Sequence, residues 1–380
     1  MVFLPVVVLV AEVITAMLPA RGSWESAGRG PICVLVPAHN EAEVIGATLA
    51  DIIPQLSSCD RLVVVADNCT DSTAAIAREA GAEVVERTDT LRRGKGYALD
   101  FGIHYLTADP PEGIVVVDAD CRMTDGSLDR IAERAIASGR PVQAMYLMGA
   151  PSGGSDAKAR VGEFAWVVKN QVRPLGLHRL GLPCQLMGAG MAFSWSVLRR
   201  ANVAGGEIVE DMKLGLDLAR QGYPPLFCPE ALVTSEFPTD AAAGKMQRTR
   251  WEHGHLGMIL AELPGLLWQA ARSRDVKLLA IALDLAVPPL ALLAILVASV
   301  VATTGLSAAA GWASAAPLYL ALAGAGGLAF AVLVAWLGWG RRILSLRDLG
   351  VLPLYALAKL PIYMLFWVRR QKAWMRTPRR

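Results

Sequence analysis

Short apolar runs alternate with segments of helical spacing from Pro31 to about residue 118. In the segments between the runs, apolar residues recur at every third or fourth position, as on one face of a helix. Strands that are apolar on both faces and that alternate with helices favour a parallel sheet covered on both sides. The pattern therefore predicts an α/β domain with a mostly parallel sheet. The apolar runs are ICVLVP, RLVVVA, EVVE and GIVVVD.

Carboxylates stand at the ends of two of these runs. Asp67 ends the second run, and Asp118 and Asp120 end the fourth with a single Ala between them. Ligands of such sheets bind beyond the carboxyl ends of the strands, and alternation along an extended chain would put Asp118 and Asp120 on one side. Paired oxygen ligands suit Mg²⁺ or Mn²⁺, which typically completes its shell with phosphate oxygens. The alternative is a pair of solvated turn residues that cap the next helix.

Further polar motifs accompany these carboxylates. VPAHNE ends the first run and brings Glu41 to the start of a helix. LRRGKGYALDFGI places Lys95 between two glycines, where backbone and ammonium can both approach a phosphate. EIVEDMKLG carries Glu210 and Asp211 before a helix. KMQRTRWEHG carries a QxxRW motif made of Gln247, Arg250 and Trp251.

This order of motifs resembles the family-2 glycosyltransferases with a GT-A fold, especially members bound to membranes. Those members include relatives of cellulose, hyaluronan and poly-N-acetylglucosamine synthases and of ceramide glucosyltransferases. The resemblance runs from about Pro31 through Trp251, and the DxD, ED and QxxRW motifs are its most specific parts. Val209 precedes the ED where the family often has Thr, and we expect a local packing change from it. The resemblance implies a Rossmann-like, cytosolic GT-A catalytic domain over residues 31–255.

The resemblance also implies how the donor, a UDP-sugar, is bound. Pro37 and Glu41 would line the nucleotide base, and Asp67 would lie beside the uracil and the ribose. Lys95 would lie near the nucleotide, and Asp118 near the sugar nucleotide. These residues would form a nucleotide-sugar site along the ends of the first strands.

Catalytic and metal roles follow from the same resemblance. Asp118 and Asp120 would hold Mg²⁺ or Mn²⁺, with Asp120 directly on the metal. Asp211 would be the catalytic base, with Glu210 as its neighbour. No Ser, Cys or His stands in a convincing nucleophile setting, so one base would drive a single displacement that inverts the anomeric centre. An α-linked donor would then give a β-linked product.

The resemblance places the acceptor beside two other motifs. The QxxRW residues would close over the diphosphate and the acceptor end, with Trp251 on the acceptor side. The glycine-rich stretch MGAGMAFS is either plain tight packing or part of the acceptor site. Its candidates for the acceptor site are Gly188 and Gly190.

Both ends of the chain are strongly apolar. Residues 1–20 predict a membrane helix, although Glu12 within it leaves a helix lying in the interface as the alternative. Between Asp284 and Arg341 there is no charged residue and no His, over a length sufficient for two crossings of about 20 residues each. The segments predicted after the catalytic domain are an interface helix at 256–275, spans at 285–304 and 317–338, a re-entrant or interfacial element at 349–368 and a basic cytosolic tail at 369–380.

Composition and charge exclude some classes of function and indicate the cellular compartment. The net charge of +3 and the lack of interleaved basic and aromatic residues argue against nucleic-acid binding. The six scattered cysteines are typical of reduced thiols in a cytosolic domain. Excess Lys and Arg mark the cytosolic side, which predicts a multi-pass protein of the inner (plasma) membrane with a cytoplasmic catalytic domain.

Three functions are compatible with these features. The favoured hypothesis is a non-processive transferase that uses a lipid or lipid-linked glycan acceptor in exopolysaccharide or glycolipid biosynthesis. Spans with scarcely a polar side chain argue against a channel in this chain, so a processive β-polysaccharide synthase would need export or polymerisation subunits. A membrane transporter or anchor with a regulatory nucleotide-binding domain is the alternative from another class.

Overall fold

The computed structural model describes residues 2–19, 28–149, 157–206, 208–238 and 240–368. In this part of the chain, eight strands form one mixed sheet. The strands are β1 (Ile32–Ala38), β2 (Arg61–Asp67), β3 (Glu83–Arg87), β4 (Gly113–Val116), β5 (Arg122–Met123), β6 (Val142–Gly149), β7 (Met191–Ser194) and β8 (Leu226–Glu236).

The strand order is β3-β2-β1-β4-β7-β6-β8-β5. The first four strands pair in parallel, whereas β7 is antiparallel to both of its neighbours, β4 and β6. β6 and β8 are parallel, and the short β5 is antiparallel to β8. The predicted α/β class and the parallel arrangement of the first strands are confirmed.

Helices cover both faces of the sheet, because its central strands are apolar on both faces. Val34 and Val64 pack into one core, while Leu35 and Val65 pack into the core on the opposite face. The helices of this part are α2 (Ile45–Ile52), α3 (Thr73–Glu79), α4 (Lys95–Leu106), α5 (Ser127–Ser138), α6 (Ala157–Val167), α7 (Arg173–Leu180), α8 (Trp195–Leu198) and α9 (Glu210–Arg220). A π-helical turn, Val168–Val172, joins α6 to α7.

A single long helix, α10 (Ala241–Ser273), leads from the α/β domain to the apolar C-terminal region. The residues predicted as a separate interface helix, 256–275, lie mostly in its second half. The helix continues without a break from Trp251 through Gly254 into that half, and Pro264 is accommodated inside it. The QxxRW motif and the expected interface segment are therefore parts of one continuous helix.

The remaining helices are α11 (Val276–Leu285), α12 (Leu290–Ala309), α13 (Ala316–Ala335), α14 (Leu352–Ala358) and α15 (Leu360–Val368). Three stretches of the described residues are long and apolar enough to cross a membrane: Leu290–Ala309, Ala316–Gly340 and Asp348–Val368. The third is divided at Lys359, where α14 ends and α15 begins. Whether it re-enters or crosses stays a prediction, and the predicted basic tail lies outside the described residues.

The N-terminal helix α1 (Phe3–Ala16) buries one of its faces against α7 and α13. Its 14 residues correspond to about 21 Å, which is shorter than the hydrocarbon core of a bilayer at about 30 Å. It crosses α7 so closely that a Cβ at Gly176 would lie 1.9 Å from the carbonyl oxygen of Glu12. Within the predicted membrane helix over residues 1–20, the structure has a short apolar helix that packs on α7 and α13, and whether it crosses a membrane or lies in the interface stays a prediction.

Candidate active site

A cleft of about 250 Å³ opens where the parallel strands end. It collects residues from distant parts of the sequence, because the carboxyl ends of neighbouring parallel strands meet at one edge of the sheet. Nearly all of the predicted site residues line it: Pro37, Glu41, Asp67, Lys95, Asp118, Asp120, Gly188, Glu210, Asp211, Gln247, Arg250 and Trp251.

Gly190 is the exception among the predicted site residues. It lies inside the sheet, where a Cβ would come 2.7 Å from Cγ2 of Val233 and 2.9 Å from Cβ of Ala144. It has a φ of +67°, which favours glycine. Close packing of strands accounts for this glycine, the alternative that the sequence left open.

Asp118 and Asp120 converge, but through a turn and not through alternation along an extended strand. β4 ends at Val116, and the backbone N–H of Cys121 donates to the carbonyl of Asp118 at 3.1 Å. Asp118, Asp120 and Cys121 each offer a ligand atom within 4.8 Å of the others. The hydroxyl of Ser235, on β8, lies 3.4 Å from Oδ2 of Asp120 and donates to it.

The chemistry of this cluster fits a hard divalent cation. Burial and the nearby Asp120 carboxylate raise the pKa of Asp118, although Lys95 opposes the shift. A cation would relieve this repulsion between carboxylates. Burial, followed by the charge of Asp120, raises the pKa of the Cys121 thiol well above its ordinary value. The thiol therefore stays protonated, and the two carboxylates are the suitable ligands.

Lys95 forms the centre of the cleft. It begins α4, pairs with the carboxylate of Asp118 and donates from Nζ to the carbonyl oxygen of Gly188 at 2.8 Å. Burial disfavours the charged ammonium, but the carboxylates of Asp118 and Glu210 raise its pKa above the usual value. One cation thus lies between the metal-binding pair and the acidic start of α9.

Glu210 and Asp211 occupy the first turn of α9 and face Lys95. Burial, followed by the charge of Asp211, raises the pKa of Glu210 to about 7. A Cβ at Gly188 would lie 3.3 Å from Oδ2 of Asp211. Gly188 has a φ of +98°, so both its backbone and its neighbour favour glycine. The missing side chain of Gly188 therefore lets its backbone approach the carboxylate of Asp211 closely.

Asp67 ends β2 and is buried beside a cation that sequence reasoning missed. Nη1 of Arg87 lies 2.6 Å from Oδ1 of Asp67, and the two residues are paired in register on β2 and β3. The ring Nδ1 of His39 lies 2.6 Å from the carbonyl oxygen of Asp67. Glu41 follows nearby, where its backbone N–H donates to the hydroxyl of Thr73. These contacts order the rim that the first two strands form.

The helix α10 brings Gln247, Arg250 and Trp251 to the opposite wall. The ring of Trp251 packs against Trp166 of α6 at 4.9 Å between centroids. Nε1 of Trp166 donates to the carbonyl oxygen of Tyr146, which also lines the cleft. Trp166, which also lines the cleft, thus holds Trp251 in place, a contact that no local sequence signal indicates.

These residues can be compared with known families. Residues 29–254 match the model of the family described as "Glycosyltransferase like family 2". The chain belongs to glycosyltransferase family 2. The matched region contains the whole sheet and every residue of the cleft from Pro37 to Trp251.

Relatives of this glycosyltransferase include both sequences and solved structures. It is 27% identical over 256 residues to the probable glycosyltransferase YdaM of Bacillus subtilis, a match of 60% of this chain and 56% of that protein. It is 37% identical over 92 residues to 4,4'-diaponeurosporenoate glycosyltransferase of Staphylococcus aureus, covering 23% of this chain and 24% of the relative. The chain therefore spans little more than half of one curated relative and about a quarter of the other.

A solved structure with the same fold covers almost the whole glycosyltransferase. The mannosyltransferase PcManGT from Pyrobaculum calidifontis, solved in complex with GDP-Man and Mn²⁺, superposes with a TM-score of 0.55 at 19% identity. The superposition covers 94% of each chain. This likeness identifies the GT-A fold that the sequence resemblance implied.

The glycosyltransferase cleft also has a second, deeper part. Lys169 and Asn170, from the π-helical turn, line it together with Arg173 at the start of α7. Arg173 binds both Glu12 of α1 and Asp284 of α11, with a nitrogen–oxygen distance of 2.6 Å in each pair. In the sequence, Glu12 is the residue that indicates such an ion pair, because a carboxylate in an apolar helix needs a buried partner. The cleft thus extends from the sheet edge to the apolar helices.

Proposed function

We propose that this family-2 glycosyltransferase transfers a sugar from a UDP-sugar to a membrane-associated acceptor, a lipid or a lipid-linked glycan. The observation that carries the proposal is the shape of the cleft. Its outer part holds the Asp118–Asp120 pair and Lys95, and its inner part reaches α1 and α11 through Arg173. A donor at the sheet edge and an acceptor arriving from the apolar helices would meet beside Asp211.

The donor would lie along the carboxyl ends of β1, β2 and β4. Pro37 and Glu41 would border the nucleotide base, and Asp67, held by Arg87, would face the ribose and the uracil. Asp118 and Asp120 would hold Mg²⁺ or Mn²⁺, which would neutralise the negative charge on the diphosphate. Lys95 would add a positive charge near the same group.

Asp211 is the proposed base. It lies beside Gly188, which has no side chain, and it stands next to Glu210 in the first turn of α9. The bond to the acceptor oxygen would form as the bond to the diphosphate breaks, and the hydroxyl proton would pass to Asp211.

Inversion is proposed because no Ser, Cys or His among the described residues that line the cleft is placed as an activated nucleophile. Burial raises the pKa of the Cys184 thiol, so it stays protonated. Burial also lowers the pKa of His255 to about 3, and its Nε2 lies 3.3 Å from the carbonyl oxygen of Leu285. A single displacement by the acceptor would give a β-linked product from an α-linked donor.

Three features support a membrane-associated acceptor. Three stretches of the described residues are apolar and long enough to cross a bilayer. Helix α10 exposes Leu260 and Trp268, at 55% and 69% of their surface, beyond the QxxRW motif. The segment α14–α15 lies directly against α10, where Lys359 pairs with Glu252 and Nε2 of His253 lies 2.8 Å from the carbonyl oxygen of Ile362. We place the catalytic domain on the cytoplasmic side of the inner membrane, as the charge rule requires.

The test is product analysis with the full-length chain in its membranes or in detergent. Radiolabelled UDP-sugars are supplied one at a time, with the matching GDP-sugars as controls, and both UDP release and the location of the label are measured. Label in the organic phase is expected. Label in a water-soluble polymer of high mass would favour a processive synthase with partner subunits. UDP binding without consumption of any UDP-sugar would exclude a transferase and favour the regulated transporter or anchor.

A further inference from the structure

The inner part of the cleft contains Lys169, a lysine without an ion-pair partner among the described residues. Lys95 is paired with Asp118, and Arg173 is paired with both Glu12 and Asp284. Lys169, in contrast, makes no ion pair or hydrogen bond with any of the described residues. Its ammonium lies only over the ring of Trp166, 5.7 Å from the centroid. A half-buried ammonium in a cleft that forms no direct ion pair is suited to bind an anion.

The neighbouring Asn170 shows the same lack of partners. Its side chain is 1% exposed and lines the cleft. Neither Oδ1 nor Nδ2 has a hydrogen-bond partner within the described part of the chain. Buried amides are almost always hydrogen-bonded, so an unpaired one in a cleft indicates a ligand that supplies the missing bonds.

The backbone presents these two residues together. Val168–Val172 is a π-helical turn inserted between α6 and α7, and the N–H of Arg173 bonds to the carbonyl of Val168. Such turns insert an extra residue into a helix and occur frequently at functional sites. Here the turn directs Lys169 and Asn170 into the cleft, while Arg173 next to them is bound to its two carboxylates.

The position of Lys169 indicates which substrate it would contact. The charged groups that act on it include Asp211, Arg173, Asp284 and Glu252. Asp211 lies on α9, Arg173 on α7, Asp284 on α11 and Glu252 on α10. Lys169 is therefore in the part of the cleft between Asp211 and the apolar helices. Burial lowers the pKa of Lys169, which is expected for an ammonium without a bound anion. A group bound here would therefore belong to the acceptor and not to the nucleotide.

We propose that Lys169 and Asn170 form a subsite for a negatively charged group, a phosphate or a carboxylate, carried by the acceptor. Lys169 supplies the charge, and the amide of Asn170 donates to an oxygen of the same group. This inference rests on the proposed function and narrows its acceptor to an anionic molecule. The anion binds beside Asp211 with its apolar part toward α1 and α11.

The test compares variants with total lipid extract from the source membranes as the acceptor and the active UDP-sugar as the donor. Lys169→Met should raise the KM for the lipid extract by about tenfold or more, because a charge-assisted contact is lost. The donor KM and the UDP affinity should stay unchanged. Lys169→Arg should restore much of the acceptor affinity, and Asn170→Leu should shift the acceptor KM in the same direction. The matched control is Lys158→Met, an exposed lysine of α6.

The charge of the product is the second measurement. Labelled product from the wild-type chain should be retained on an anion exchanger at neutral pH. Retained label in the organic phase identifies an anionic lipid, and retained label in the aqueous phase identifies a soluble anionic acceptor, which keeps the subsite and contradicts the membrane-associated acceptor. A neutral product, or a Lys169→Met variant that raises the donor KM or matches the control, would overturn the subsite. Failure of the wild-type chain to consume any UDP-sugar would instead overturn the proposed function.

Discussion

The guanidinium of Arg173 binds the carboxylate of Glu12, with 2.6 Å between Nε and Oε2. The pair joins α7 of the catalytic domain to the apolar helix α1 at the point where Gly176 lets the two backbones touch. Asp284 of α11 binds the same guanidinium from the other side. One buried arginine thus links the catalytic domain to two helices next to the apolar region.

Replacing this arginine should weaken the whole assembly. Arg173→Met leaves two buried carboxylates without a partner, and we expect a loss of about 3–5 kcal/mol in the free energy of unfolding. Glu12→Gln should cost less, because the amide oxygen can still accept from Arg173. Unfolding in detergent measures both. The control is Arg122→Met, whose more exposed pair with Asp51 should contribute about 0–1 kcal/mol. Equal losses for Arg122→Met and Arg173→Met would contradict the linking role.

Removal of the metal should abolish sugar transfer. If Asp118 and Asp120 hold the cation, chelation should stop the reaction and added Mn²⁺ or Mg²⁺ should restore it. Asp120→Asn should remain inactive even with excess metal. Asp125→Asn is the matched control, since that carboxylate is exposed five residues further along. Full activity in the presence of EDTA would exclude a metal role for this pair.

Replacing Asp211 should lower the turnover rate without changing the affinity for the donor nucleotide. Asp211→Asn should lower kcat by about 10² or more, because the base is lost, while UDP affinity stays near the wild-type value. Calorimetry with UDP and turnover measurements separate the two effects. If the rate is retained, or if UDP affinity falls in step with the rate, Asp211 is not the base and Glu210 becomes the next candidate.

Replacing Trp251 should have a different kinetic effect from replacing Asp211. Trp251→Ala removes the ring that packs against Trp166, so the wall of α10 loses its order. We expect weaker donor retention together with poorer acceptor use, measured as UDP affinity and acceptor KM. A loss of kcat alone, with both affinities intact, would show that the ring does not order this wall.

Gly188 should not tolerate a side chain. In Gly188→Ala, the added methyl group would lie 3.3 Å from Oδ2 of Asp211, and we expect kcat to fall by about tenfold to a hundredfold. The control is Gly222→Ala, which has a similar φ of +90° but no atom within 4 Å of the added methyl group. Both variants should lose about 1–2 kcal/mol of stability from backbone strain. Equal kcat values for the two variants would show that the contact with Asp211 is unimportant.

The α/β class and most of the outer cleft could be predicted from the amino-acid sequence. Apolar runs without alternation required a sheet covered on both faces, and carboxylates at the strand ends had to meet at one edge. The order of the motifs indicated Asp118, Asp120, Lys95 and Asp211, which the fold brings into one cleft. These features depend on local patterns of a few residues, and such patterns can be read along the chain.

The inner part of the cleft, and the ion pairs and ring contacts that hold its walls, could not be predicted from the sequence. Arg173 and Glu12 are 161 positions apart, and Lys359 is 107 positions from Glu252, so neither pair leaves a local pattern in the sequence. The same holds for Trp166 beside Trp251, for Arg87 beside Asp67, and for the π-helical turn that presents Lys169 and Asn170. The pairing of a buried charge or ring depends on which distant elements pack together, and packing is settled by the fold as a whole.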